Sequence, residues 1–338
     1  MDLNTVWFIL VGVLFTGYAV LDGFDLGVGV LHLFARGEEE RRLHVNAIGP
    51  VWDGNEVWLL TGGGALFAAF PVVYATVFSG FYLALVLVLL ALIFRAVSLE
   101  FRGKVDSAAW RRFWDWAFGL GSLVAALVFG VAVGNVLRGV PFDRDGNIAI
   151  SPLGLLNPYA LLIGALAVAA VALHGAAYLA TKTDGDLQSR LLAWAARLWM
   201  LFVALFAAAS VATRLAAPHL FGSSGLSPLT WLFAALLVAA GFGFPLALKA
   251  ARHGRAFLAS SVAIVCLNGL AATALFPRLV PSRPDLAQSL TIYNASSTPR
   301  TLGTMLVIAL VGMPLVIGYT AYIYRTFRGK TVIDGTSY

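Results

Sequence analysis

Long apolar runs separated by short polar stretches set the pattern of this chain. A helix that crosses the hydrocarbon core of a bilayer needs roughly 20 mostly apolar residues. Eight runs reach that length, at 7–33, 72–94, 115–137, 158–180, 194–213, 229–248, 257–276 and 301–324. A ninth stretch, 44–70, is long enough but carries Pro50, Asp53, Asn55, Glu56 and Gly62-Gly63-Gly64. Polar residues and helix breakers inside an apolar run are tolerated where protein or water, not lipid, surrounds them.

Basic residues arbitrate the ninth stretch. Lys and Arg collect in 36–42, 95–112, 182–197, 249–255 and 325–330, and are sparse in 138–157, 214–228 and 276–300. Cytoplasmic loops hold the excess of Lys and Arg. Nine spans place all five rich stretches on one side, with 17 of the 23 basic residues there and six outside. The expectation is therefore nine spans, N-terminus outside and C-terminus cytoplasmic. Trp7, Trp110, Trp114, Trp194 and Trp231 stand at or just beyond the expected ends, as interfacial aromatics do. Asp115, beside Arg111 and Arg112, is placed to cap the helix it opens. The stretch 277–299, with its prolines, reads as an irregular external cap.

Composition agrees and removes whole classes of function. Hydrophobic residues make up 60% and charged residues 12%, against about 25% charged in soluble domains. With a mean hydropathy of +0.85, a soluble enzyme, a disordered chain and a nucleic-acid binder are excluded. The net charge of +6 is what basic loops on one side of a membrane leave behind. Cys266 is the only cysteine, so neither an internal disulfide nor a cysteine-based metal site is expected. The first apolar run carries acids in its second half and has no small-residue cleavage site, so no cleavable signal peptide is expected.

Four acids lie within apolar runs: Asp22, Asp25, Asp53 and Glu56. A carboxylate at a helix centre costs roughly 3 kcal/mol on insertion scales, and such residues mark ion or proton routes. Asp22 and Asp25 stand i,i+3, on one helix face, and Gly23 and Gly27 let another helix approach closely. They read either as groups that bind and release protons or as a structural pair bonded to a neighbour. Asp53 and Glu56 repeat the i,i+3 spacing, with Pro50 and Gly54 loosening the backbone and Trp52 and Trp58 flanking them. This set reads as a proton relay, or as an interfacial helix end with solvated acids. Haem needs axial His or Met, and among the five His only His174 lies well inside a span. A buried histidine bonded to a neighbour is the commoner outcome, so His174 is a weak haem candidate. No phosphate-binding or dinucleotide glycine motif occurs.

At these residues the chain resembles subunit II of cytochrome bd-type quinol oxidases. The resemblance is carried by the run from Gly17 to Gly29 and by Pro50-Val51-Trp52-Asp53-Gly54-Asn55-Glu56-Val57-Trp58-Leu59 with the following Gly63 to Pro71. Phe78 to Tyr82, Phe94-Arg95, Trp114-Asp115-Trp116, Gly134-Asn135 and Leu156-Asn157-Pro158 extend it over essentially the whole chain. It implies an all-α, multi-pass protein of a bacterial inner membrane, about nine helices arranged as two four-helix bundles plus one peripheral helix. The corresponding division is 1–138, 139–276 and 277–338. It implies a larger partner, subunit I, that carries the haems (b together with b or d), with room for one or more small single-helix subunits and for membrane lipids. The complex would oxidise quinol, reduce dioxygen to water and take protons from the cytoplasm without pumping. By motif, Asp53 matches an acid of the proton path at the subunit interface, with Trp52 beside it and Glu56 nearby; Asp22 and Asp25 match acids of a second route. The short stretches 138–157 and 214–228 resemble the compact subunits of the cyanide-insensitive branch. A proton-coupled secondary transporter and a purely structural assembly subunit remain the alternatives. The second half holds no copy of the Trp52–Trp58 constellation that an internally repeated transporter would show.

Overall fold

The computed structural model describes residues 2–143, 146–222 and 227–333. Eleven α-helices make up most of them: α1 (Leu3–His32), α2 (Gly37–Ile48), α3 (Trp52–Ala69), α4 (Pro71–Gly80), α5 (Tyr82–Phe101), α6 (Ala108–Arg138), α7 (Pro158–Lys182), α8 (Gly185–Ala216), α9 (Pro228–Lys249), α10 (His253–Leu275) and α11 (Pro299–Thr326). Eight are long and apolar enough to cross a membrane, or nine if α3 and α4 count as one broken span bent by 119°. The protein is an integral membrane protein, and in place of the straight span expected at 44–70 it has the bent pair α3 and α4, with residues 44–48 in the separate helix α2.

The break has a local cause. Pro71 supplies no N–H and disfavours helical torsions in the residue before it. Phe70 accordingly leaves the helix at φ −132° and ψ 63°. The apolar run expected at 72–94 is thus divided. Its first part is α4, lying across the bundle end, and the span itself is α5, displaced to Tyr82–Phe101.

Helices alternate in direction, and contacts between distant loops define two faces. On the N-terminal face Trp7 Nε1 donates to Leu302 O at 2.9 Å and Ser297 N to Ala69 O at 2.8 Å. On the other, the C-terminal face, Thr331 N donates to Lys182 O at 2.8 Å, Lys182 Nζ to Phe327 O at 2.7 Å and Lys330 Nζ to Thr183 O at 2.5 Å. Residues 327–331 are thereby clasped over the turn between α7 and α8. Three helices leave the N-terminal face with a capping side chain followed by proline: Asn157-Pro158, Ser227-Pro228 and Thr298-Pro299. The cap oxygen takes an otherwise orphaned N–H, and proline at the first helical position needs none. The cap of α6 is Ser107, not Asp115; Asp115 lies two turns in and is buried.

Within the first half α1 packs on α3 and α6, and α6 on α5; within the second α7 packs on α8 and α10, and α9 on α10. The α1–α7 and α6–α7 contacts join the two halves, and α11 leans on α1 and α3. Close approach of α1 and α7 depends on two glycines. A β-carbon at Gly27 would collide with the Val171 carbonyl, and one at Gly175 with the Gly27 backbone. The stretch between α10 and α11 forms short strands, β2 (Arg278–Val280) antiparallel to β4 (Leu290–Thr291), while β3 (Ser282–Arg283) pairs in parallel with β1 (Val140–Pro141) after α6. It is more regular than its prolines suggest. Arg144, counted above among the outside charges, lies beyond the described residues.

Candidate functional site

The acids singled out in the sequence converge toward the C-terminal face. Asp22 and Asp25 are fully buried on α1, ten and seven residues before its end at His32. Opposite them on α5 stands Arg95, also fully buried. Its Nη2 donates to Asp22 Oδ1 at 2.6 Å, and its Nη1 to Asp22 Oδ2 at 3.3 Å and to Glu56 Oε1 at 2.5 Å. One planar guanidinium thus holds acids from two helices, a fork that lysine cannot reproduce. Glu56 keeps 23% of its side chain exposed, so it joins the buried pair to the protein surface.

Asp25 is the acid outside this ion pair. Asn55 Nδ2 donates to its Oδ2 at 2.7 Å and to Leu21 O at 3.1 Å. Tyr324 of α11 donates its hydroxyl to Asn55 Oδ1 at 2.9 Å. The other Asp25 oxygen is buried with no hydrogen-bond partner. A small apolar cavity lined by Leu21, Trp58, Thr320, Ala321 and Tyr324 lies alongside. Asp53 is placed differently. It sits in the first turn of α3 on the exposed face, at the head of a stripe continued by Val57, Leu60 (74% exposed) and Phe67. Trp52 is partly buried against the core.

Closer to the C-terminal face lies a second charged cluster. His32 Nε2 stands 2.8 Å from Asp115 Oδ1, Arg102 Nε donates to the same oxygen at 2.6 Å, and Arg41 Nη1 donates to Asp115 Oδ2 at 2.6 Å. Arg102 also grips Glu38 with two bonds of 2.9 Å. Glu40 of α2 pairs with Arg190 of α8 and accepts from Arg36 N. His44, in the short helix α2, is fully buried with neither ring nitrogen hydrogen-bonded. Burial, then the nearby His32, Arg190 and Arg41, holds its imidazole well below the usual range.

His174 is committed elsewhere. Its Nδ1 lies 2.7 Å from Ser260 Oγ, its Nε2 3.1 Å from Val20 O, and its ring stacks on Phe257 at 4.7 Å. No lone pair or open ring face is left for a haem iron. Among the described residues no group of three or more His, Cys, Asp or Glu is arranged to hold a metal ion.

Arg95 escaped the sequence reading because it was grouped with the basic stretch 95–112. The available signal was its place in the apolar run leading to Leu99, opposite buried acids that lacked a cation. Asp115 was read as a helix cap because of its neighbours Arg111 and Arg112; its actual partners, His32, Arg41 and Arg102, come from distant positions. Tyr324 carried no signal in the sequence beyond its place near a helix end.

Comparison with known proteins supplies the context. The family described as cytochrome bd terminal oxidase subunit II matches residues 3–327. The chain is 39% identical to cytochrome bd-I ubiquinol oxidase subunit 2 of Escherichia coli (strain K12), covering 97% of this chain and 95% of that protein. It is 40% identical to cytochrome bd ubiquinol oxidase subunit 2 of Bacillus subtilis (strain 168), covering 97% of each. In fold it is similar to a chain of the bd oxidase from Geobacillus thermodenitrificans, with a TM-score of 0.77 over 97% of this chain and 99% of that one, at 18% identity.

Proposed function

The chain belongs to the cytochrome bd terminal oxidase subunit II family, and from that premise we propose that it is the subunit which feeds protons to a quinol-oxidising, dioxygen-reducing complex whose haems sit on subunit I. The complex is a quinol:oxygen oxidoreductase, and subunit I is the partner its family implies. Reduction of dioxygen to water consumes protons, so a route for them is a chemical necessity. The observation that carries the reading is the continuity of acids from surface to interior. Asp53 lies on the exposed stripe, Glu56 is one helical turn further in and half-buried, and Arg95 ties Glu56 to Asp22.

Asp53 is the relay at the subunit I contact, with Trp52 shielding it, and Glu56, Asp22 and Asp25 are secondary members. Arg95 stabilises the negative charge on Asp22 and Glu56, and Asp25, which shares no such cation, is the carboxyl free to exchange a proton. The occupied nitrogens of His174 support haem ligation by subunit I. The C-terminal face, which gathers most Lys and Arg, is the cytoplasmic one, and the membrane is the bacterial inner membrane. Quinol and dioxygen are substrates of the complex.

Asp53→Asn in the assembled complex tests this. With haem spectra unchanged, oxygen consumption falls by about 10²-fold, the scale of losing a positioned proton-transfer group. Unchanged consumption would refute the relay. Loss of the haems with assembly disturbed would make Asp53 a structural contact to subunit I.

A further inference from the structure

Asp115 is over-supplied with cations. Arg102 and Arg41 already donate to both of its oxygens, so His32 is not needed to neutralise it. Yet His32 is 99% buried, and its Nδ1 has no hydrogen-bond partner, an arrangement that costs stability. A leucine here would avoid that cost. Two turns inward along α6 lies a buried hydroxyl. Ser122 is fully buried on α6, seven residues from Asp115 and thus on the same helix face. Its hydroxyl donates to Phe118 O at 2.8 Å and occupies the place that a β-carbon on Gly29 of α1 would fill. One turn further along α1 stands Asp25, with one buried oxygen unpartnered. From His32 to Gly29 and from Gly29 to Asp25 the axial steps are about 4.5 and 6 Å.

We propose that His32, oriented by Asp115, takes up protons at the C-terminal face and passes them by way of Ser122 to Asp25. The ring starts with its proton on Nδ1; a proton added at Nε2 and one lost inward from Nδ1 leave it as the Nε2–H tautomer, which a flip of the ring returns to the start, so no proton is gained or lost over the cycle. The inference rests on reading the buried acids as a proton route and gives that route its inlet. Facing His32 are Asp115 of α6, Arg41, Glu40 and His44 of α2, Arg102 beyond the end of α5 and Arg190 of α8, with the His44 ring 5.7 Å away. Arg41 and Arg102 are paired with Asp115, Arg102 also with Glu38, and Arg190 with Glu40.

His32→Gln is the test, because its amide still donates to Asp115 but cannot titrate. In the complete complex with unaltered haem spectra, quinol-driven oxygen consumption falls about tenfold near pH 8.5, where protons are scarce, and less than about twofold near pH 6. A purely structural role gives no such tilt in the pH profile. Consumption by His32→Gln within about 1.5-fold of wild type at every pH, and by the double variant within about 1.5-fold of Asp53→Asn alone, overturns the inlet. In that case a slow Asp53→Asn single variant leaves the relay at Asp53 standing, and a fast one removes both. Should His32→Gln fail to assemble, Ser122→Ala decides, since alanine fits the space of serine. An alkaline loss of about threefold or more supports the route, and an unchanged profile overturns it.

Discussion

Arg95 shows most plainly what single residues contribute. Three carboxyl groups and one guanidinium lie together, all fully buried except Glu56, and the guanidinium binds two of them. Arg95→Leu leaves Asp22 charged and alone, a loss of about 3–5 kcal/mol. The expected outcome is failure of the subunit to accumulate, read by immunoblot of membranes. Arg95→Lys keeps the charge but not the fork, and should yield complex with a lowered thermal midpoint. His44 makes a prediction of the opposite kind. Its folded-state pKa is held down by burial, while in the unfolded chain it titrates near 6.5. Above that pH it contributes no slope. Below it the unfolded chain binds the proton that the folded ring refuses, so stability falls with falling pH by at most about 1.4 kcal/mol per unit. Thermal unfolding of the purified complex between pH 7.5 and 5.5 should show this decline, and His44→Phe should flatten it. The acids were legible in the sequence because charge inside an apolar run is conspicuous whatever the fold. Their partners were not, because Arg95 lies 73 residues from Asp22 and chain distance says nothing about which helices meet.

At the scale of elements, small residues decide how near the helices come. The Gly27–Gly175 approach joins the helix that carries the acids to the second half of the protein. Gly27→Ala drives a methyl group into the Val171 carbonyl, so a loss of about 1–3 kcal/mol and a lower thermal midpoint are expected. Tyr324→Phe removes one hydroxyl from Asn55. It should cost about 1 kcal/mol and make α11 easier for protease to release, visible as faster cleavage after Thr326. Helix number was legible from apolar runs, and helix starts from Asn, Ser or Thr before proline. The boundary between α4 and α5 was not, because the run 72–94 is apolar throughout and hydropathy cannot see a change of direction at Phe81. Pro71 was visible as a breaker, but how sharply the chain turns there depends on what Phe70 packs into, and Phe70 is fully buried.

Taken whole, the molecule is polarised twice. Charge is gathered at one face, and the interior acids lie within two to three helical turns of that same face. With Arg95 withdrawn into the core, the basic excess is slightly smaller than the sequence suggested, and its asymmetry survives. Single cysteines at Ser297 and Lys330, in a chain with Cys266 replaced by serine, should label from opposite sides of the membrane, with Lys330 reached only from the cytoplasm. The gathering of basic residues at one face was legible as a statistical imbalance of charge, whereas the closing of that face by the chain's last residues was not. That end bears on how the protein is made. Residues 327–331 leave the ribosome after every helix has been threaded, and their bonds to Lys182 and Thr183 cannot form until α7 and α8 have already met. The clasp is therefore a late event in biosynthesis, one that a nascent chain with misplaced helices has no way to complete.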